Sequence, residues 1–230
     1  MKKPFHSLAL RPVASGLLAV MLVSAACLIS SSGQNAPPPP GAMVLDSSVV
    51  SESSGLARSR LRGDLLWTHN DSGDWPRLFA FTTDGHLQAI LTVNRAAAID
   101  WEDMCSFTRS GRHYLAVADV GDNRQSRKQV TIYLLKEPEV AGRGSDSTQA
   151  PANMTADVQH EIVVQYPDGP LNCEAIAYDP LREELLLASK EPLRSRIYSI
   201  GFDIARPRQE VTAQLLSTVL VPMVTGASIS

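Results

Sequence analysis

The chain has 230 residues, of which 44% are hydrophobic and 20% are charged, and its formal net charge is -3. This is the composition of an ordinary globular protein that is long enough to form a sizeable core. The near-neutral charge balance and the lack of a basic stripe argue against nucleic acid as a partner.

Residues 1–29 predict a secretory signal. A basic lead is followed by an apolar run over residues 13–29, which is the layout of an export signal. Small residues at 24–26 offer a cleavage site before Cys27, so we expect a secreted or periplasmic protein. Two alternatives stay open: a lipid anchor on Cys27, although such signals usually carry Leu where Ser24 stands, or an uncleaved membrane anchor. Membrane attachment is expected only through this segment.

A disordered, proline-rich spacer is predicted for residues 30–42, which contain the string QNAPPPPG. The folded part is therefore expected to span residues 43–230. It contains two cysteines, Cys105 and Cys173. An exported protein permits a disulfide between them, but two cysteines do not make a disulfide framework, and two unpaired buried thiols are the simpler interpretation.

A hexapeptide repeat sets the predicted architecture. Each copy has a polar first residue, an apolar fifth residue and a small sixth residue, and the starts are 48, 72 and 53 residues apart. The copies are ESSGLA at 52–57, DWEDMC at 100–105, NCEAIA at 172–177 and TGASIS at 225–230.

Three further strand-like runs follow each of the first three hexapeptides in a fixed order. They lie at 65–69, 114–118 and 184–189, then at 77–81, 130–134 and 196–200, and finally at 87–93, 161–166 and 213–221. Four strands in each unit of about 50 residues are typical of β-propeller blades. A β-sandwich is the alternative. Residues 137–157, rich in Gly, Ser, Pro and Ala, are predicted to be a surface insertion in the second unit.

The repeats predict an all-β protein with an incomplete propeller ring of about three blades plus the start of another. Residues 43–50 lie where a fourth strand would precede the first hexapeptide, and the fourth hexapeptide would begin a further blade. Because propellers typically have four to eight blades, we expect either a shortened product or a partner that completes the ring.

Several motifs in fixed order resemble those of a family of secreted bacterial β-propeller proteins. They are ESSGLA, WTHNDSG at 67–73, DWED at 100–103, DVGDN at 119–123, and YPDG at 166–169 followed by NCEAIA. The resemblance implies a propeller that continues for further blades, and it carries no established activity. Cys105 and Cys173 stand where that family usually has small residues. A more distant similarity to gluconolactonases, paraoxonases and β-propeller phytases implies a central site for Ca²⁺ or another divalent metal.

The propeller prediction brings equivalent repeat positions together around one axis. Positions one and three of a strand lie on the same side, and strand-end loops gather at the channel mouth. Oxygen donors of this kind are the ligands that Ca²⁺ prefers. The predicted metal ligands are Glu52, Asp100, Glu102, Asn172 and Glu174; the predicted binding residues are Asn70, Asp71, Asp119, Asp122, Asn123 and Lys190. His69 or Glu102 is the candidate general base on a metal-bound water.

Turn chemistry is the competing explanation for many of these residues, because Asp and Asn side chains bond nearby backbone in tight turns. Two functions therefore stay open. The first is an exported binding or scaffold propeller for an unknown small molecule or extracellular ligand, with a structural Ca²⁺. The second is a metal-dependent hydrolase of the lactonase, esterase or phosphoesterase type. No nucleophile motif such as GxSxG is present, and the sequence leaves open whether the protein is an enzyme.

Overall fold

The computed structural model describes residues 20–22, 44–142 and 150–229, and these form sixteen β-strands and no helix. The prediction of an all-β protein is confirmed. The described residues include no helix long and apolar enough to cross a membrane. Most of the predicted signal, the spacer of residues 30–42 and residues 143–149 of the predicted insertion lie outside the described residues.

Three sheets each contain four antiparallel strands that pair in chain order, and we call them blades 1 to 3. Blade 1 consists of β2 (Ser53–Arg58), β3 (Leu65–Asn70), β4 (Arg77–Thr82) and β5 (Leu87–Asn94). Blade 2 consists of β6 (Trp101–Arg109), β7 (Arg112–Asp119), β8 (Val130–Lys136) and β10 (His160–Gln165). Blade 3 consists of β11 (Cys173–Asp179), β12 (Glu184–Ser189), β13 (Ser195–Ile200) and β15 (Gln214–Val219).

Local sequence explains the tight hairpin at the centre of blade 2. Ser110 and Gly111 join β6 to β7, and both have positive φ, 50° and 72°. Two consecutive residues with positive φ form the type I′ turn, whose twist matches that of the flanking strands.

Blade 2 is packed on both faces, which places the blades in series. Along β7, Leu115 and Val117 belong to the apolar core shared with blade 1, whereas Ala116 and Ala118 belong to the core shared with blade 3. Alternate residues of a strand point to opposite faces, so one strand supplies both cores. This arrangement differs from a sandwich, in which each sheet buries only one face.

The first strands of the blades lie side by side in the order β2, β6, β11, and β16 (Ala227–Ile229) follows next to β11. These four strands contain or adjoin the four hexapeptides, so the predicted convergence of the repeat is seen in space. The three described residues of the predicted signal form β1 (Val20–Leu22), which pairs antiparallel with β16.

Two additional strands, which we call straps, extend the outer edges of blades 1 and 2. β9 (Ala152–Asp157) pairs in parallel with β5, and β14 (Arg208–Thr212) pairs in parallel with β10. In the sequence, each strap immediately precedes the outermost strand of the following blade. Blades 2 and 3 therefore each extend one strand back onto the blade before them. β9 comes from the segment predicted as a surface insertion, and β14 was not predicted.

The expected strand at residues 43–50 is wrong for its described part. Residues 44–50 form turns and irregular backbone instead. Asp46 explains why, because its N–H donates to Gly85 O at 3.0 Å and its carboxylate accepts from Leu87 N at 2.9 Å. These bonds tie the segment to the β4–β5 turn rather than to a sheet edge.

Candidate functional site

Equivalent backbone hydrogen bonds mark the same end of the inner strand in all three blades. The carbonyl of the first hexapeptide residue accepts a hydrogen bond from an N–H just after the second strand. The bonds run from Asp71 N to Glu52 O (2.8 Å), from Gly121 N to Asp100 O (3.1 Å) and from Lys190 N to Asn172 O (3.0 Å). The side chains of these residues therefore emerge at one end of the inner strands, which we call the acidic end.

Three carboxylates meet at the acidic end, and we call them the carboxylate triad: Asp71, Asp100 and Glu102. One oxygen from each lies within 4.8 Å of the others. Oxygens that bind one Ca²⁺ at about 2.4 Å are separated by at most about 5 Å, so this spacing fits a shared cation. Asp71 comes from blade 1, whereas Asp100 and Glu102 come from blade 2, so a cation here would join the two blades.

Glu102 has the surroundings of a residue that lacks its partner. Its side chain is only 6% exposed, and no hydrogen-bond donor or basic group among the described residues pairs with its carboxylate. A buried carboxylate without a hydrogen bond or counter-ion is costly. A bound cation would supply the missing partner.

Gly121 forms the wall behind the triad. A Cβ added to it would lie 2.3 Å from Glu102 Oε1 and 2.4 Å from Asp100 Oδ2. Any larger residue at this position would therefore displace one or both carboxylates, whereas glycine leaves them in place. The sequence-based assignment did not include Gly121, although a glycine between two aspartates in a strand-end loop is a usable signal.

The electrostatics of the triad favour a proton or a cation. Burial raises the pKa of Glu102 to about 9, and the negative charges of Glu174, Asp71 and Asp100 add to the effect, while Lys190 opposes it. Burial also raises the pKa of Asp100, with Asp71 contributing. Without a cation, Glu102 is therefore protonated at neutral pH.

Glu174 lies beside the triad but already has its partners. Its Oε2 pairs with Lys190 Nζ at 2.6 Å, and its Oε1 accepts from Asn172 Nδ2 at 3.0 Å. The Asn172 amide also accepts through Oδ1 from Asp122 N at 2.7 Å. These contacts connect blade 3 to the DVGDN loop, and they leave Glu174 and Asn172 outside the triad.

Asp119 and Asn70 are the last residues of β7 and β3. Each accepts hydrogen bonds from backbone N–H groups just before the inner strand of its own blade. Asp119 is fully buried, accepts from the Ile99 and Asp100 N–H groups, and pairs with Arg127 at 2.8 Å. Asn70 accepts from the Ser51 and Glu52 N–H groups at 3.0 and 3.3 Å. Both side chains orient backbone in this structure.

The DVGDN loop shows the turn chemistry that competed with ligand binding. Asp122 accepts through Oδ2 from Arg127 N at 2.7 Å, and its carbonyl accepts from Gln125 N. Arg127 also donates to Gly121 O at 2.8 Å. Asn123 is exposed and accepts from Asn172 Nδ2 at 3.3 Å.

Two further predicted site residues do not belong to the triad. Glu52 is exposed, and its carboxylate has no hydrogen-bond partner among the described residues. His69 is fully buried, with its ring edge-on to Trp101 at 5.6 Å and its Nδ1 next to Asn70 O at 2.8 Å. Burial lowers the pKa of His69, so it is neutral at pH 7. The catalytic roles of His69 and Glu102 stay predictions.

Asp103 is a central residue that the sequence-based assignment missed. It is 5% exposed, and its two oxygens accept from the Met104 and Ile176 N–H groups, each at 2.8 Å. It therefore bonds the inner strands of blades 2 and 3. Burial raises its pKa to about 7, against the opposing effect of backbone N–H groups that include those of Leu56 and Ala227.

Cys105 and Cys173 are free thiols, and Cys173 is fully buried. Burial raises the pKa of Cys173 to about 12 from an ordinary value of 9.0. We therefore expect the folded protein to react with iodoacetamide at Cys173 roughly a thousandfold more slowly near pH 8 than the unfolded chain does. Mass spectrometry of the alkylated peptides measures this. Equal labelling of Cys173 in the folded and urea-unfolded protein would contradict it.

Comparison with known proteins adds little beyond these observations. No family model matches the sequence, and no curated protein does. Among solved structures, the chain is similar to the β-propeller domain of Cps50 (Swd1) from Myceliophteria thermophila, with 14% identity and a TM-score of 0.38. The match covers 74% of this chain and 44% of that one.

Proposed function

We propose that this chain is an exported binding or scaffold protein of the propeller type, which holds a divalent cation, Ca²⁺ in the simplest case, at the carboxylate triad. The observation that carries the proposal is Glu102, a buried carboxylate without a partner among the described residues, next to two further carboxylates at a spacing that fits one ion. An all-oxygen donor set suits a hard cation.

The main role of the cation would be to stabilise the fold. The triad draws its side chains from blades 1 and 2, so a bound ion neutralises their mutual repulsion and links the two blades. Lys190 and Asn123 are at least partly exposed beside it, where an unknown small molecule or extracellular ligand would make contact.

We propose further that the three blades belong to a larger ring. β16 lies beside β11 in the place that the inner strand of a next blade would take. A further blade at this place would continue the series of inner strands beyond β16.

A binding role is favoured over the hydrolase role by the position of His69. Its ring has no exposed surface and its Nδ1 lies 2.8 Å from Asn70 O, the surroundings of a structural histidine rather than of a general base open to solvent. No observation on the described residues specifically favours hydrolysis.

The calcium proposal is tested by titration calorimetry of the full chain with Ca²⁺. We expect one site per chain in the wild type and at least about tenfold weaker binding in Glu102→Gln, since the charge and number of the ligands set calcium affinity. Glu52→Gln is the matched control, because Glu52 occupies a first hexapeptide position but lies outside the triad. Unchanged affinity in Glu102→Gln, or no binding by the wild type, would refute the proposal.

A further inference from the structure

The two straps obey one rule. The strap of each blade pairs in parallel with the outermost strand of the blade before it: β9 with β5, and β14 with β10. In both cases the chain continues after at most two residues into the outermost strand of its own blade. The strap therefore clips neighbouring blades together at their outer edges, far from the axis.

The straps also share a side-chain pattern. In the first strap, Met154 and Ala156 pack against the core between blades 1 and 2, and Val158 is buried just beyond it. In the second strap, Val211 packs against the core between blades 2 and 3, and Ala213 is buried just beyond it. The alternate residues are exposed. A strap is thus a five- or six-residue strand that carries small or apolar residues at its later inward positions, while Gln209 occupies the first inward position of the second strap.

Polar contacts support the register at one end of each strap. Asn94 Nδ2 donates to Asp157 Oδ1 at 3.0 Å in the first, and Arg208 pairs with Glu161 at 3.4 Å in the second. Backbone bonds continue past the strands, with Glu161 N donating to Pro207 O at 2.8 Å.

Blade 3 also has an outermost strand with a free edge, but the described residues supply no strap for it. β15 is the last strand of its sheet, and no strand among the described residues pairs with its outer edge. Five of its six residues are exposed, whereas only one of the six in β10 and two of the eight in β5 are. Leu215 and Leu216 are 47% and 42% exposed, which leaves apolar side chains open at an unpaired edge.

We propose that the outer edge of β15 is the docking site for the strap strand of a next blade. The strand runs parallel to β15, with small or apolar residues at alternate inward positions. The same chain makes this interface twice, and addition of a strand to an open edge is an established mode of recognition. The proposal does not depend on the calcium site.

The test appends a strap to the full chain. A Gly/Ser linker of about 15 residues, which spans roughly 20 Å, is followed by a copy of residues 205–213 (ARPRQEVTA). We expect hydrogen exchange of the amides in β15 to slow by at least about tenfold. The control tail carries Gln209→Pro and Val211→Pro in the copied segment, which removes two N–H groups from the strand.

Three results are possible, and each decides the proposal. Slower exchange in β15 with the copied strap but not with the proline tail supports it. Equal exchange with both tails overturns it. Slower exchange in the protein without a tail as its concentration rises, together with a dimer in size-exclusion chromatography, also overturns it, because the edge would then bind a second copy.

Discussion

Asp103→Ala is expected to lower the free energy of unfolding by about 3 kcal/mol, because two buried N–H groups lose their acceptor and each such loss costs roughly 1–3 kcal/mol. The groups are those of Met104 in blade 2 and Ile176 in blade 3. The removed carboxyl group also leaves a void between the inner strands. Urea denaturation near pH 7 of the wild type and the variant gives this difference.

Asp179→Ala is the matched control for this prediction. Asp179 is also buried, at 1% exposure, but its oxygens accept only from Leu181 and Arg182 in the adjoining turn. We expect a smaller loss of about 1 kcal/mol there, since no contact between blades is broken and Arg182 is half exposed. An Asp103→Ala effect no larger than the control's would show that Asp103 does not join the blades.

Asp103 also shows why part of the candidate site escaped the sequence. Positions one and three of the hexapeptide were selected because they share one side of the strand. The fourth position points toward the neighbouring inner strand, where Gly55 and Ala175 are small. A Cβ on Gly55 would lie 2.6 Å from Met104 N. An aspartate at a position where the neighbouring hexapeptides have Gly55 and Ala175 was the sequence signal that could have identified Asp103.

The blades themselves could be predicted because their strands are apolar runs in a repeated order. Eleven of the twelve blade strands fall within about two residues of their predicted bounds, and β6 continues four residues further, to Arg109. The straps could not be predicted from the sequence, because they are short, largely polar and exposed, at Ala152–Asp157 and Arg208–Thr212. Their strand conformation comes from pairing with an existing edge, a tertiary effect that outweighs local preference.

The triad was predicted as a wider set of ligands than the structure brings together. Asp100 and Glu102 were expected as ligands and lie in the triad, whereas Asp71 was expected to bind in another role. Sequence places residues at repeat positions, but it does not reveal which carboxylates already have partners. Lys190 satisfies Glu174, and Arg127 satisfies Asp119.

The metal-free protein is expected to lose stability as the pH rises from about 7 to about 9, and Glu102 is the cause. Its pKa in the folded state is about 9, above the ordinary value of 4.5. A carboxyl group whose pKa is raised by folding stabilises the fold fully below its ordinary pKa and loses this contribution as the pH approaches the raised value. The loss over these two pH units is at most about 2.7 kcal/mol.

Thermal or urea unfolding in the presence of a chelator at several pH values measures this loss, with Glu102→Gln as the comparison. The variant carries no titrating group at this position, so the stability of the wild type should fall more steeply than that of the variant between pH 7 and 9, while the contribution of the buried Cys173 thiol is common to both. Below about pH 7 the comparison is less direct, because Asp103 and His69 titrate there with opposite effects on stability. Parallel pH profiles for the wild type and the variant would contradict the assignment.

Calcium should reverse the loss if it binds the triad. A cation replaces the proton on Glu102, so its binding strengthens as the pH rises, and about 1 mM Ca²⁺ should stabilise the wild type more at pH 9 than at pH 7. Glu102→Gln should show no such difference, whereas Glu52→Gln should behave as the wild type does. A wild type that is stabilised equally at both pH values would place the ion elsewhere, on carboxylates that are already ionised at neutral pH.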